Sequence, residues 1–290
     1  MDTVPYLFCD AVTETIAEIK NISERLYFAN HSRFSKWKIA FANHQENRSI
    51  LTLSVGFDRG EWSYTLFKRR RASSDSCDFA HLKQSKKKYL RVDNIIFTSG
   101  QSHPSSRQEI EEIIKYVDPF VNVADICLAN HAISDSDLGV LLSYFQRASF
   151  KIMASRYYKQ CYEDFLTRFL QSDCLKEITI RGRGWSQELQ AGIQEFVLQK
   201  SFYKVDCGNT NLMFDRAFFE NVFELNPSEK EMSFRGNFSI AFESLRGFKK
   251  ELQHRSDEYI ISWIRKDGVQ IDVVAFSEES LSVELLPTSY

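Results

Sequence analysis

The segments Leu175-Lys-Glu-Ile-Thr-Ile180 and Phe202-Tyr-Lys-Val-Asp-Cys207 share one pattern, apolar-x-x-apolar-x-apolar. Outward from them the same pattern returns, with small variations, in Val92-x-x-Ile95-x-Phe97, Val123-x-x-Ile126-x-Leu128, Phe150-Lys-Ile152-x-Ala154 and Lys230-Glu-Met232-x-Phe234. The central residues Ile95, Ile126, Ile152, Ile178, Val205 and Met232 lie 31, 26, 26, 27 and 27 positions apart. Short apolar runs of this kind read as strands. Ile261 and Trp263 offer a seventh strand, 29 positions after Met232. Between the strands the period becomes helical, with Ile110, Ile113, Ile114 and Val117; Leu138, Leu141, Leu142 and Phe145; Phe165, Leu166, Phe169 and Leu170; Leu189, Ile193, Phe196 and Val197; Phe218, Val222 and Phe223; and Phe242, Leu245, Phe248 and Leu252. Ser106 with Glu109 fits a capping box, and Ser134 to Asp137 an N-cap and first turn.

A strand plus a helix in 26 to 31 residues falls in the size range of leucine-rich repeats, in which neighbouring units bury one another's apolar faces. The expected fold is therefore α/β, a leucine-rich-repeat-like stack with a parallel sheet across residues 90–276. Its interlayer space accounts for the 24 phenylalanines. Residues preceding the strand centres, Asp125, Lys151, Glu177, Lys204 and Glu231, alternate in sign and would form a charged row across the outer face. Three positions past each strand's last apolar residue, where leucine-rich repeats place a bridging Asn or Cys, stand His131, Tyr157, Arg183, Thr210 and Asn237. Only Asn237 matches, so an asparagine ladder is not expected.

Upstream, Pro5 suits a first helical turn, and Phe8, Val12, Ile16 and Ile19 give that helix one apolar face. Leu26, Phe28, Phe34 and Trp37 extend an apolar pattern to about Phe41, so residues 1–45 read as a small helical module. The period then drops to two. Ile50 to Phe57 and Trp62 to Phe67 flank Asp58-Arg59-Gly60 as a β-hairpin, followed by a basic stretch read as an exposed loop, the two together spanning 46–89. Residues 277–290 read as a C-terminal tail.

The opening Met1-Asp-Thr-Val-Pro-Tyr-Leu-Phe-Cys-Asp-Ala-Val12, with Ile16, resembles the start of F-box-like proteins of a family expanded in nematodes. Ser106 to Ile114, Leu141 to Gln146 and Phe223 to Glu231 resemble that family too. The resemblance implies a module that docks on the Skp1-type adaptor of a cullin-based ubiquitin ligase, with Val4-Pro5 at its Leu-Pro position, and a C-terminal region that holds a target protein. Val4, Pro5, Phe8, Val12 and Ile16 are the adaptor-binding candidates it supplies. Lys20 to Asn30 lacks the family's acidic-leucine step, and the alternative role of those five residues is a core-facing amphipathic helix.

Catalytic signals are weak. Gly182-Arg-Gly184 is too short for a phosphate loop, the six histidines show no HxxxH or HxH spacing, and the six cysteines no CxxC. Cys127 and Cys207 fall on strands, and Cys161 and Cys174 flank a helix, where a thiol reads as a small apolar residue. The expectation is a non-enzymatic chain with no cofactor and no metal site. A formal net charge of -2, 43% hydrophobic residues, no apolar run of membrane-spanning length and no signal-peptide pattern describe an intracellular globular protein of the cytoplasm or nucleus.

Two surfaces remain as candidates. The outer strand face would present Cys127, Met153, Thr179, Asp206 and Ser233 in one row and Arg181 and Arg235 in the next, with the two arginines giving specificity toward a protein partner. The segment 68–91 carries nine basic residues, among them Lys68, Arg69, Arg70, Arg71, Lys86, Lys87 and Lys88, against Asp75 and Asp78. Nucleic-acid contact or nuclear import is the sharper reading of that segment, and a solvated loop the preferred one, since only Phe79 and Tyr89 interleave with the charges. Three functions follow in order: a substrate-recruiting adaptor, a binding or inhibitory scaffold without adaptor contact, and a nucleic-acid-associated protein.

Overall fold

The computed structural model describes residues 35–70, 73–99, 103–121, 123–130, 132–156, 160–199, 202–225, 232–238, 252–255, 258–264, 270–275 and 280–286. The fold is α/β, and the chain divides into two compact units, one of residues 1–126 and 140–149, the other of 127–139 and 150–290. Among the described residues, no helix is long and apolar enough to cross a membrane.

Among the described residues of the first unit the first element is α1 (Ser35–Asn47), which continues past the expected end near Phe41. Ala40 and His44 on it are buried, and the His44 ring meets Tyr89 edge-on at 5.0 Å. β1 (Ser49–Asp58) and β2 (Glu61–Arg70) form the expected antiparallel hairpin. Arg59 and Gly60 at its tip have φ of 50° and 87°, the left-handed pair that a two-residue turn matched to strand twist requires. The basic stretch that follows is not a loop. It forms β3 (Ser73–Cys77), paired with β2, and α2 (Phe79–Lys83), whose first turn is capped by Asp78 accepting from the His81 N–H at 2.7 Å. β4 (Leu90–Thr98) lies parallel to β1, and β5 (His103–Ser105) pairs with β2. α3 (Arg107–Val117) is capped by Ser106, which accepts from the Glu109 N–H; the Glu109 carboxylate accepts from Ser105 Oγ at 2.7 Å. β6 (Val123–Leu128) completes the strand order β6-β4-β1-β2-β3.

α4 (Asp135–Ser143) begins at Ser134, whose Oγ accepts from the Asp137 N–H, as its sequence suggested. In the second unit strand and helix alternate: β7 (Ser149–Arg156), α5 (Gln160–Leu170), β8 (Glu177–Gly182), α6 (Gln187–Gln199), β9 (Lys204–Thr210), the short β10 (Met213–Phe214), α7 (Arg216–Phe223) and β11 (Met232–Phe238). β7, β8, β9 and β11 are neighbours and parallel. Each helix buries the residues its period marked, Leu166 and Phe169 on α5, Leu189 and Ile193 on α6, Phe218 and Val222 on α7. Phenylalanine fills the interlayer space as expected: Phe214 meets Phe218 and Phe234 at 5.1 Å each, and Phe219 meets Phe238 at 4.9 Å. Each such ring contributes roughly 1.5–3 kcal/mol by leaving water.

Several expectations need correction. Register places Met153, not Ile152, beside Ile178, and Phe234, not Met232, beside Val205. The charged row shrinks accordingly: Glu177 and Lys204 are register partners, but Ile152 stands beside Glu177 and Ser233 beside Lys204. Leu252 begins a strand instead of ending a helix, β12 (Leu252–Arg255), and Ile261 and Trp263 lie in β13 (Glu258–Ile264). With β14 (Gln270–Ala275) and β15 (Ser280–Leu286) these strands run antiparallel, and β15 pairs with β11. Residues 280–286 of the expected tail are therefore a strand of the sheet. Phe242, Leu245 and Phe248 lie outside the described residues.

Polar side chains tie successive units together at the strand-to-helix turns. Asn211 Oδ1 accepts from the N–H groups of Gly184 (2.9 Å) and Trp185 (3.0 Å), and its Nδ2 donates to the Trp185 carbonyl. Asn237 Nδ2 donates to the Thr210 carbonyl at 3.0 Å. An asparagine tie thus exists, displaced by one residue from Thr210 to Asn211. A second series comes from the helices: Glu163 accepts from the Ser186 N–H at 3.1 Å, and the Gln190 amide exchanges two hydrogen bonds with the Met213 backbone. Asn211→Ala is expected to cost about 2 kcal/mol in urea unfolding, since three backbone groups lose a partner. Asn211→Asp, which keeps the acceptor, is expected to cost less.

Candidate functional site

The parallel strands of the second unit turn one side toward their helices and leave the other uncovered by them. Ile178, Ile180, Val205, Phe234 and Phe238 fill the inner side. Ala154 and Arg156 of β7, Thr179 and Arg181 of β8, Asp206 of β9, and Ser233 and Arg235 of β11 follow the opposite register.

The centre of this side is an ion pair. Arg181 Nη1 donates to Asp206 Oδ1 at 2.9 Å and Nη2 to Oδ2 at 2.7 Å, while Nη1 also reaches the Asp206 carbonyl at 3.2 Å. This fork-on-fork geometry is the strong form of an arginine–carboxylate pair. A bulge in β9 makes it fit: Thr179 pairs with Asp206, yet Arg181 pairs with Asn209, so β9 carries one extra residue. The third arginine crosses from the far strand. Arg235 is the register partner of Asp206 and lies over Gly208, where a Cβ would come within 2.6 Å of Arg235 Nε. Only glycine leaves room for that crossing.

Electrostatics fix the charge state of Asp206. Burial alone would raise its pKa, but the Arg181 hydrogen bonds, the Gly208 N–H and the fields of Arg181 and Arg235 together hold it below the ordinary carboxylate value. The neighbouring Cys207 thiol is fully buried and pushed far upward, so it stays protonated and unreactive.

The candidates from sequence divide unevenly over this surface. Thr179, Arg181, Ser233 and Arg235 are half-buried on the outer side, and Cys127 is half-buried within β6. Met153 is a correction: at 1% exposure it faces the core, because the β7 register is one residue from the expected one. Asp206 is a second correction, since it is buried as the acceptor of Arg181. Arg156, the register partner of Arg181, was missed for the same reason that Met153 was misplaced. Val4, Pro5, Phe8, Val12, Ile16 and Arg71 lie outside the described residues.

The basic residues of 68–91 are parcelled among separate partners. Lys68 Nζ donates to Ser85 Oγ at 2.6 Å, Arg69 pairs with Asp93 at 3.4 Å, and Lys87 stands 5.4 Å over the Tyr116 ring. Lys86 is exposed, Arg70 ends β2, and Lys88 lies in a 3-10 turn of Lys87–Tyr89. Register on β2 also brings Cys77 and His103 onto positions two apart, beside Leu66 and Tyr64, at a groove of about 500 Å³ that Asp78 and His81 also line. Burial raises the Cys77 thiol against the lowering field of Lys68, so the groove holds a thiol and not a thiolate at neutral pH.

Because the folded carboxyl of Asp206 titrates below an unfolded one, its stabilisation is complete above about pH 4 and is lost as pH falls through the folded value. Asp206→Asn is expected to lower stability by about 3 kcal/mol at pH 7, because the half-buried Arg181 loses its counter-charge. The difference from wild type should shrink in thermal melts at pH 3.

Compared with family models, curated proteins and solved structures, the chain matches none.

Proposed function

We propose that the protein is a non-enzymatic interaction protein: a leucine-rich-repeat-like stack that holds a target protein on its outer strand face, carried by an F-box-like N-terminal module that recruits the Skp1-type adaptor of a cullin-based ubiquitin ligase. The observation that carries the first half is the Arg181–Asp206–Arg235 arrangement. It fixes cationic side chains on a side of the sheet that the helices leave uncovered, as a recognition surface requires. The second half rests on the resemblance of Met1 to Val12 and Ile16 to F-box-like proteins. Ligase chemistry would reside in other subunits.

The two halves separate experimentally. Full-length protein is expected to capture the adaptor, and Pro5→Ala/Phe8→Ala to lose it while a cross-linked target is retained. Arg181→Ala/Arg235→Ala is expected to do the reverse. Adaptor capture absent from wild type would leave a scaffold without ligase contact, and capture unchanged by the first pair would remove Pro5 and Phe8 from the adaptor contact; target binding unchanged by the second pair would remove the outer face from recognition.

A further inference from the structure

We infer that Ser73 and Ser74 form a phospho-acceptor site for a serine kinase that reads arginine, and that the phosphate fastens the edge strand β3 to β2. The site lies wholly within the first unit and is independent of the outer face of the second.

The stretch Arg69-Arg-Arg-Ala-Ser-Ser-Asp-Ser76 sets three arginines directly ahead of two serines. Arg70 and Arg71 stand three and two positions before Ser73, and Arg69 and Arg71 five and three before Ser74. Upstream charge of this kind is what arginine-directed kinases select, by carboxylates along the cleft that receives the substrate chain. The acceptor hydroxyl must also arrive on a reachable, extended segment. β3 is a strand at the end of the order β6-β4-β1-β2-β3, and Asp75 and Ser76 beside the serines are exposed. Five register pairs join β3 to β2, and Ser-Ser-Asp-Ser-Cys brings no large apolar side chain, so opening toward a kinase breaks a short ladder and uncovers little. In the transfer the serine hydroxyl oxygen bonds to the γ-phosphorus of a nucleoside triphosphate, the bond from that phosphorus to the bridging oxygen breaks, the hydroxyl proton passes to the kinase's aspartate, and the nucleoside diphosphate leaves.

The register then gives the product a place. Ser73 is the partner of Arg70 and Ser74 the partner of Arg69, so a phosphate on either serine enters directly opposite an arginine of β2. Opposed residues of an antiparallel pair have Cβ atoms about 4.5–5.5 Å apart, a span that a phosphate and a guanidinium bridge. The Arg69 side chain is 63% exposed and its contact with Asp93 is long at 3.4 Å. A phosphate monoester, with a charge of about −1.5 to −2 at neutral pH, competes for that guanidinium at close range. Asp75 is the partner of Lys68 and falls on the face opposite to Ser74, so it does not stand between Ser74 and Arg69. The modification therefore closes the strand that opened to receive it, and tightens an edge of the sheet.

The test incubates the intact chain with the catalytic subunit of cyclic-AMP-dependent protein kinase and magnesium ATP, beside a synthetic peptide of residues 66–78, and maps the phosphate by fragmentation mass spectrometry. Native chain and peptide should both take phosphate at Ser73 or Ser74, and Ser73→Ala/Ser74→Ala should lose it with an unchanged melting temperature. Arg71→Gln, which leaves Arg69 and Arg70 in place, should lower kcat/KM for the kinase about tenfold, the effect of one charge-assisted contact. Phosphorylation should slow amide hydrogen exchange of residues 73–77 about tenfold, and the slowing should vanish in Arg69→Gln/Arg70→Gln brought to full phosphorylation with excess kinase. Phosphate accepted by the peptide and refused by the native chain, phosphate mapped only to other residues, an unchanged rate in Arg71→Gln, or β3 exchange that is unaltered or faster after phosphorylation would each overturn the inference.

Discussion

The second unit depends on how the turns between strand and helix satisfy their backbone. A turn at the end of a parallel strand leaves N–H and C=O groups that neither the strand ladder nor the helix can use, and such groups are costly when shut away from water. Here a neighbouring strand–helix repeat, the following or the preceding one, supplies the partner. Asn211 serves Gly184 and Trp185, Asn237 serves Thr210, Glu163 receives Ser186, and Gln190 clasps Met213. One strand and helix therefore cannot finish its own hydrogen bonding, which is why units of this size fold as neighbours.

The ion pair on the outer side follows from that regularity and from one departure from it. Parallel register places Asp206 beside Thr179 and Arg235, and the extra residue in β9 brings Arg181 back over the aspartate. A buried carboxylate without such partners would have been neutralised or excluded. Arginine on both flanks keeps it charged, and the charged aspartate in turn holds Arg181 in place. The site is thus made by backbone geometry as much as by residue choice.

Much of this was legible in the chain. Apolar periodicity located the helices from Arg107 to Phe223, and Asp58-Arg59-Gly60 marked the hairpin tip, because burial and turn conformation act on neighbours in sequence. What escaped depended on contacts between distant residues. Phe150, Ile152 and Met153 allow either register for β7, and only pairing with β8 decides which faces inward. Asn211 hid behind Thr210 because turns of unequal length shift the bridging position by one. Lys68 to Arg91 looked like a solvated run, yet Asp75 and Ser74 pair it to β2 as an edge strand. In the site, Arg181 and Arg235 could be named from alternation, but Arg156 and Gly208 acquire their roles only through register and the crossing of a side chain.

The strand that returns beside β11 bears on how far such a stack can extend. β15 runs opposite to β11 and occupies the edge on which another parallel strand would be added. An open parallel edge is a template for further strands, whether from the same chain or from a neighbour. Reversal of direction at β15 ends the series by topology, so the number of repeating units is set by where the chain doubles back, and the edge that could seed end-to-end polymers is already paired.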